Sequence, residues 1–98
     1  MLRTNTCGEL NEKDVGKEVT LCGWVDTVRN LGALVFIDLR DKFGITQLNV
    51  PPATYEKVNV KSEYVISAHG KVVLRSQPNN EIPTGKIEID VDDIHVFS

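Results

Sequence analysis

Two side chains, Phe36 and Gln47, have the types and the spacing to contact an unpaired nucleobase. The run from 34 to 41 alternates like a β-strand and places Phe36 among charged side chains, opposite the aliphatic face. In the run from 45 to 50, the same alternation places Gln47 on the polar face. An exposed ring is a stacking platform for a base, and an amide offers a donor and an acceptor to a base edge. If the two runs pair as a hairpin, both side chains share the outer face; otherwise a loop covers Phe36 and Gln47 is only solvated.

Two charged side chains extend this pattern. Arg29, at the end of an earlier strand-like run, can contact a phosphate or a base. Glu88 alternates with Ile87 and Ile89 and so points outward, where a carboxylate accepts from a base N–H group and repels phosphate. The alternative for both is an ordinary solvated surface charge. Spacing gives no nucleophile–base pair, phosphate-binding glycine loop or metal-ligand set, so the sequence predicts no catalytic residue and no metal.

Composition indicates one small globular domain extending over residues 1–98. The chain is 41% hydrophobic and 26% charged, which is ordinary for such a domain. No apolar run is long enough to span a membrane and no signal region opens the chain, so Cys7 and Cys22 are expected to be reduced thiols in the cytoplasm. The net charge of −3 argues against a general nucleic-acid binder, which usually carries a basic surface.

Five strand-like runs separated by turn residues predict an all-β fold. They extend over about Glu18–Arg29, Leu34–Arg40, Ile45–Val50, Glu63–Leu74 and Ile87–Val96. One or two helical turns are expected within 51–58, and Asn11 is expected to cap a single earlier turn. Five strands with a short helix between the third and fourth is the element order of an OB-fold, a Greek-key barrel. A five-stranded SH3-like barrel is the competitor, but the long first strand, bent at Gly23, favours the OB-fold.

Short motifs follow one another in order over nearly the whole chain. They are Arg3-Thr4, Cys7-Gly8-Glu9-Leu10, Gly23-Trp24, Phe36-Ile37-Asp38-Leu39-Arg40-Asp41, Gln47, Ser62-Glu63-Tyr64 and Thr84-Gly85-Lys86-Ile87-Glu88. This set resembles the N-terminal anticodon-binding domain of bacterial-type aspartyl-tRNA synthetases. The glycine–tryptophan strand and the Phe…Gln pair are shared with the related asparaginyl and lysyl enzymes, whereas the opening motifs and the run from 36 to 41 point to the aspartyl branch.

The resemblance implies a set of residues that bind the anticodon loop of an aspartate tRNA. Phe36 is expected to stack on the central anticodon base, a uracil, while Gln47 reads that base's edge and Glu88 reads the first anticodon base. Arg29 is expected to contact the anticodon region. The resemblance adds three further residues that approach the anticodon stem-loop or take the place of a family arginine: Arg75, Asn79 and Lys61.

The resemblance also implies what lies outside these residues. The full enzyme is expected to be an ATP-dependent and Mg²⁺-dependent aspartate–tRNA ligase whose catalytic domain is absent from residues 1–98. The domain itself is expected to need no cofactor, to avoid membranes and to be a monomer by itself, with a homodimer expected for the full-length enzyme.

Departures from the family pattern predict weak tRNA binding by this domain alone. Asp26, Thr27 and Val28 stand where the family usually carries arginines, and Val73 stands in place of another. Because phosphate neutralisation supplies much of the affinity for nucleic acid, their loss weakens the contact. A protein-interaction or scaffold module that keeps the barrel is therefore the alternative function, and a general single-strand binder is a third.

Overall fold

The structure, a computed structural model, describes residues 2–98 and is a closed barrel of five strands. The strands are β1 (Glu18–Asn30), β2 (Val35–Asp41), β3 (Gly44–Val50), β4 (Val65–Leu74) and β5 (Ile87–Val96). They close in the order β1-β2-β3-β5-β4, and the helix α1 (Pro52–Val58) lies between β3 and β4. The predicted fold class, an OB-fold barrel with a short helix at this point of the chain, is confirmed. Among the described residues, no helix has the length and apolar character needed to cross a membrane.

The predicted strands agree with the observed ones to within two residues at their ends. The largest difference is in β4, which begins at Val65 rather than at Glu63. Glu63 has a φ of 77°, in the left-handed region, and the N–H of Tyr64 donates to the carbonyl of Lys61 over 3.1 Å. A turn of this kind cannot continue a strand, so residues 61–64 form the entry to β4 instead.

Alternation along the strands separates the core from the outer surface. The inward-facing aliphatic side chains are almost completely buried: Val19, Leu21, Val25, Val35, Ile37, Leu39, Leu48, Val50, Ile66, Val72, Ile87, Ile89 and Val91. Gly23 interrupts this series in β1, where a Cβ atom would lie 2.3 Å from the carbonyl oxygen of Arg40. The glycine therefore permits β1 and β2 to approach closely in mid-strand.

A bulge in β1 sets the register at the end where the polar face lies. The pairing of β1 with β2 shifts between Val25 and Thr27, after which Arg29 pairs with Phe36. A bulge inserts one residue and re-aims the side chains that follow it. Its consequence here is that Arg29 lies next to the Phe36 ring on the outer surface.

Two short helical elements pack against the barrel, a 3-10 turn at β4 and α1 at β5. Asn11 caps a single 3-10 turn at Glu12–Asp14, as predicted, with reciprocal hydrogen bonds between Asn11 and Asp14. In α1, Tyr55 is buried and its hydroxyl donates to the carbonyl of Val60 over 2.9 Å. The helix ends at Val58 and is capped by Asn59, which has a φ of 44°.

Candidate nucleic-acid interface

The hairpin of β2 and β3 brings Phe36 and Gln47 to one face of the barrel. Asp38 pairs with Gln47 and Phe36 pairs with Asn49, so Phe36 and Gln47 are diagonal neighbours. The Phe36 side chain is half-buried and still borders an open groove. Gln47 is only 4% exposed. Alternation alone would suggest a solvated side chain with a much larger exposed fraction.

Hydrogen bonds join Gln47 to the strands on both sides. Arg29 Nη2, from β1, donates to Gln47 Oε1 over 2.8 Å. Gln47 Nε2 donates to Glu88 Oε1, from β5, over 2.8 Å. The amide is thus held between a guanidinium and a carboxylate, and the Gln47 side chain has one orientation.

Glu88 lies on the outer face as predicted, but it is 8% exposed and its carboxylate is already engaged. Its Oε2 accepts from Asn49 Nδ2 over 3.0 Å, in addition to the bond that Oε1 accepts from Gln47. The predicted contact of this carboxylate with a base stays a prediction. Both oxygens serve first to hold two amides of β3.

Arg29 contacts the Phe36 ring as well as Gln47. Its Cζ atom lies 5.2 Å from the ring centroid, within the range of a cation–π contact. One side chain therefore links the stacking surface to the amide that borders it. An incoming base and the Arg29 guanidinium would both lie against this ring.

Two adjoining cavities form a groove along this face, and they share Arg29, Gln47 and Arg75. The smaller, of about 80 Å³, also includes Phe36, Glu88, Ser76 and Gln77 in its wall. The larger, of about 280 Å³, also includes Asp38, Ile45, Asn79 and Ile82. The larger volume is close to the lower end of the range, roughly 300 Å³, that small-molecule clefts span. The groove thus has room for a planar group beside the ring.

Arg75 is the second cation of this groove, and its Nε atom is buried with no hydrogen-bond partner in residues 2–98. Within the same residues, neither Arg75 nor Arg29 has a carboxylate oxygen within 4.0 Å. A buried, unpaired N–H group is unfavourable by about 1–3 kcal/mol. The groove therefore contains donors that an anionic or hydrogen-bonding ligand would satisfy.

The loop that supplies Arg75 and Asn79 is held to the barrel by backbone contacts. Asn79 N donates to the carbonyl of Gly85 over 2.9 Å, and a Cβ atom at Gly85 would collide with the Asn79 carbonyl. The Thr84 hydroxyl, which is buried, donates to the carbonyl of Ile45 in β3. The Thr84-Gly85 pair thus positions the loop as a rim of the groove.

The seven predicted site residues do not all meet. Six border the groove: Arg29, Phe36, Gln47, Arg75, Asn79 and Glu88. Lys61 lies exposed in the turn before β4 and borders neither cavity. Asn49 is not among the site residues predicted from the sequence. Its position on the same strand face as Gln47, two residues further on, is the pattern that could have indicated it.

A second polar cluster lies on another part of the barrel, where β1, β4 and β5 meet. His69 Nδ1 lies 2.7 Å from Asp92 Oδ1, and His69 Nε2 lies 3.5 Å from Glu18 Oε1. The hydrogen bond to Asp92 raises the pKa of His69 above its ordinary value, with a smaller contribution from the charge of Glu18. The two carboxylates face opposite nitrogens of one ring, so the geometry is that of an ion-paired histidine between two acids.

The tRNA anti-codon family, described as an OB-fold nucleic acid binding domain, matches residues 19–97. The aspartate–tRNA ligase of Amoebophilus asiaticus is 48% identical over 104 residues, covering 100% of this chain and 18% of the relative. The aspartate–tRNA ligase of Mesoplasma florum is 48% identical over 99 residues, covering 100% of the chain and 17% of the relative. The chain thus spans less than a fifth of the length of these relatives and matches their N-terminal region.

Solved structures agree with this likeness. Asparaginyl-tRNA synthetase from Pyrococcus horikoshii, complexed with asparaginyl-adenylate, superposes with a TM-score of 0.79 at 28% identity, covering 98% of this chain and 22% of that one. Aspartyl-tRNA synthetase from Entamoeba histolytica superposes with a TM-score of 0.76 at 27% identity, covering 88% and 19%.

Proposed function

We propose that the groove binds the anticodon loop of an aspartate tRNA. This chain belongs to the family of OB-fold anticodon-binding domains and matches the N-terminal region of aspartate–tRNA ligases. The observation that carries the proposal is the grouping, along a single groove, of one half-buried ring, one oriented amide and two cations that lack a carboxylate partner among residues 2–98. Stacking, edge reading and phosphate contact are the three interactions that single-stranded RNA recognition requires.

Each groove residue has a role in this proposal. Phe36 stacks on the central anticodon base, a uracil, and Gln47 bonds its edge. Arg29 and Arg75 contact phosphates or neighbouring bases, for which guanidinium groups are well suited. Glu88 contributes chiefly by holding Gln47, and any contact with the first anticodon base uses lone pairs that its two amide partners leave free.

Two further predicted residues, Asn79 and Lys61, contribute less to RNA binding in this proposal. Asn79, in the wall of the larger cavity, bonds a flanking nucleotide. Lys61, outside the groove, adds positive charge near the stem of the RNA. A lone exposed lysine contributes through long-range attraction, so it affects the affinity more than the choice of base.

The proposal extends to the full-length polypeptide of which this chain would be the N-terminal domain. The full-length polypeptide joins aspartate to its tRNA with ATP and Mg²⁺, in a catalytic domain beyond the residues described, and works as a homodimer in the cytoplasm. The barrel alone binds RNA as a monomer and needs no cofactor. Its affinity is modest, because few cations border the groove.

The experiment is a titration of the chain with a short anticodon stem-loop of aspartate tRNA at low salt. A matched loop carries cytosine in place of the central uracil. We expect tighter binding of the uracil loop. Equal affinity for the two loops would overturn base reading. The absence of binding to either, with recovery of a protein partner, would favour a scaffold module, for which neither the family match nor the groove gives support.

A further inference from the structure

We propose that Asn49 is a specificity-determining positioning residue, which fixes the orientation of the Gln47 amide through Glu88 and thereby sets which pyrimidine the groove accepts. The inference rests on the proposed function. It concerns a residue that contacts no base itself. Asn49 acts on Glu88, Glu88 acts on Gln47, and only Gln47 meets the base edge.

The orientation of the Gln47 amide follows from the chemistry of its two partners. The Arg29 guanidinium only donates, and a Glu88 carboxylate only accepts. The observed amide presents Oε1 to Arg29 and Nε2 to Glu88, each over 2.8 Å. Turning the amide over would place oxygen against carboxylate and NH₂ against guanidinium. Both contacts would become repulsive at once, so one orientation prevails as long as both partners stay in place.

Asn49 keeps the carboxylate partner in place. It is half-buried on β3, next but one to Gln47, and its Nδ2 donates to Glu88 Oε2 over 3.0 Å. The backbone of Glu88, in β5, is fixed by its pairing with Val73 of β4. The bond from Asn49 therefore acts on the Glu88 side chain and not on its backbone. Without Asn49, the Glu88 side chain keeps a single amide partner and gains rotational freedom toward the groove.

A fixed amide distinguishes uracil from cytosine. At the positions next to each other on the pairing edge, uracil presents an O4 acceptor and an N3–H donor, whereas cytosine presents an N4–H₂ donor and an N3 acceptor. The Gln47 amide retains one N–H and one lone pair beyond its protein partners. When the base is stacked with one face on Phe36, the positions of the amide oxygen and nitrogen are fixed relative to its edge. They then match the donor and acceptor of one pyrimidine and place like groups against those of the other.

The experiment measures the ratio of the Kd values of the cytosine and uracil stem-loops for the wild-type chain and for Asn49→Leu. Leucine has the same branched outline of four side-chain heavy atoms as asparagine but no donor. A correctly oriented bidentate contact discriminates by about 1–3 kcal/mol, or roughly 5-fold to 150-fold. We expect this ratio in the wild type and a fall toward unity in Asn49→Leu, with a smaller change in the Kd of the uracil loop.

A matched control is available at the N-terminal segment. Asn5 Nδ2 donates to Glu9 Oε2 over 3.1 Å, a bond of the same kind as that from Asn49 to Glu88. Asn5→Leu removes it on an exposed surface outside the groove and should leave the ratio unchanged. Asn49→Ala is the second variant, because it introduces no new apolar volume and tests the same lost donor if the leucine variant does not fold.

A second readout needs no RNA. The side-chain NH₂ resonances of Gln47 in the free chain report its bond to Glu88, and we expect them to shift in the Asn49 variants but not in Asn5→Leu. Binding of both loops with an unchanged ratio and unmoved resonances would overturn the role of Asn49 while leaving the proposed function intact. Failure of the wild type to bind either loop would overturn the proposed function and this role with it.

Discussion

Two clusters on this barrel pair carboxylates with nitrogen donors across three strands, yet they differ sharply in burial. In the cluster around Glu88, Glu88 itself is 8% exposed and Gln47 is 4% exposed. In the cluster around His69, the side chains of His69 and Asp92 are 35% and 62% exposed. Burial strengthens the geometric demand of a polar contact, because an unmet group has no water to replace its partner. The buried cluster therefore fixes orientations, whereas the exposed one responds mainly to protonation.

The two clusters also differ in what they leave unpaired. Each nitrogen of His69 faces a carboxylate, so that cluster is self-contained. The cluster around Glu88 borders a groove in which Arg29 and Arg75 lack carboxylate partners within the described part of the chain. Similar residue types thus line an open groove with unpaired cations in one place and form a local surface ion pair in the other.

The largest difference between the clusters should be seen in stability. Glu88→Ala leaves two amides without their buried acceptor, and we expect the free energy of unfolding to fall by about 3 kcal/mol. Asp92→Ala in the exposed cluster should cost less than about 0.5 kcal/mol. Urea denaturation of both variants measures this directly. Equal losses would mean that burial does not separate the two clusters.

Stacking provides the next largest effect, this time on binding. Phe36→Ala removes the ring from the groove, and we expect the stem-loop Kd to rise by about 30-fold, equivalent to roughly 2 kcal/mol. Because Phe36 is only half-buried, the chain should stay folded, as circular dichroism would establish. If the variant instead melts near room temperature, the ring is part of the core and the groove lacks its stacking platform.

Salt dependence tests whether the groove is the source of the positive charge that RNA meets. With Arg29 and Arg75 as the contacting cations of the groove and about 0.7 per phosphate for single strands, the slope of log Kd against log salt should be roughly 1.4. Raising salt fourfold would then weaken binding about 7-fold. Arg75→Gln should reduce the slope by about 0.7, whereas Lys71→Gln, on the exposed surface of β4, should leave it unchanged.

The smallest effect concerns the exposed cluster and its pH dependence. The hydrogen bond with Asp92 raises the pKa of His69 above 6.5 in the folded chain. A raised folded pKa stabilises the fold fully below the unfolded value, and this contribution is lost as the pH rises through the folded pKa. We therefore expect Tm to decline slightly as the pH rises above about 6.5, the ordinary pKa of histidine.

The His69→Gln variant tests this assignment against other titrating groups. It should remove the decline, while His95→Gln, an exposed histidine elsewhere on the sheet, should retain it. Thermal melts at a series of pH values give the comparison. A decline that persists in His69→Gln would assign the titration to another group.

Local pattern was sufficient to predict the elements of this fold but not their register. Alternation identified all five strands, and the observed range of β5, Ile87–Val96, equals the predicted one. The bulge after Val25 and the parallel pairing of β3 with β5 depend on contacts between distant residues. For that reason neither the pairing of Arg29 with Phe36 nor the burial of Gln47 could be derived from the sequence.

The sequence predicts which residues belong to the candidate site better than it predicts the hydrogen bonds between them. Six of the seven proposed residues border one groove, because the family resemblance carries long-range information that alternation lacks. The outward position of Glu88 says nothing about the two amides of β3 that its carboxylate binds, so these bonds could not be predicted. The grouping of His69 with Glu18 and Asp92 likewise arises only when three strands pair.

The brief parallel pairing of β3 with β5 has a consequence for the order of folding events. The bonds from Gln47 and Asn49 to Glu88 span 41 and 39 residues, so they form only after the chain has closed a long loop. A barrel that has not closed lacks an oriented amide beside Phe36 and cannot discriminate between bases. Bound RNA should therefore slow unfolding rather than accelerate refolding, a distinction that stopped-flow measurements with and without the stem-loop would resolve.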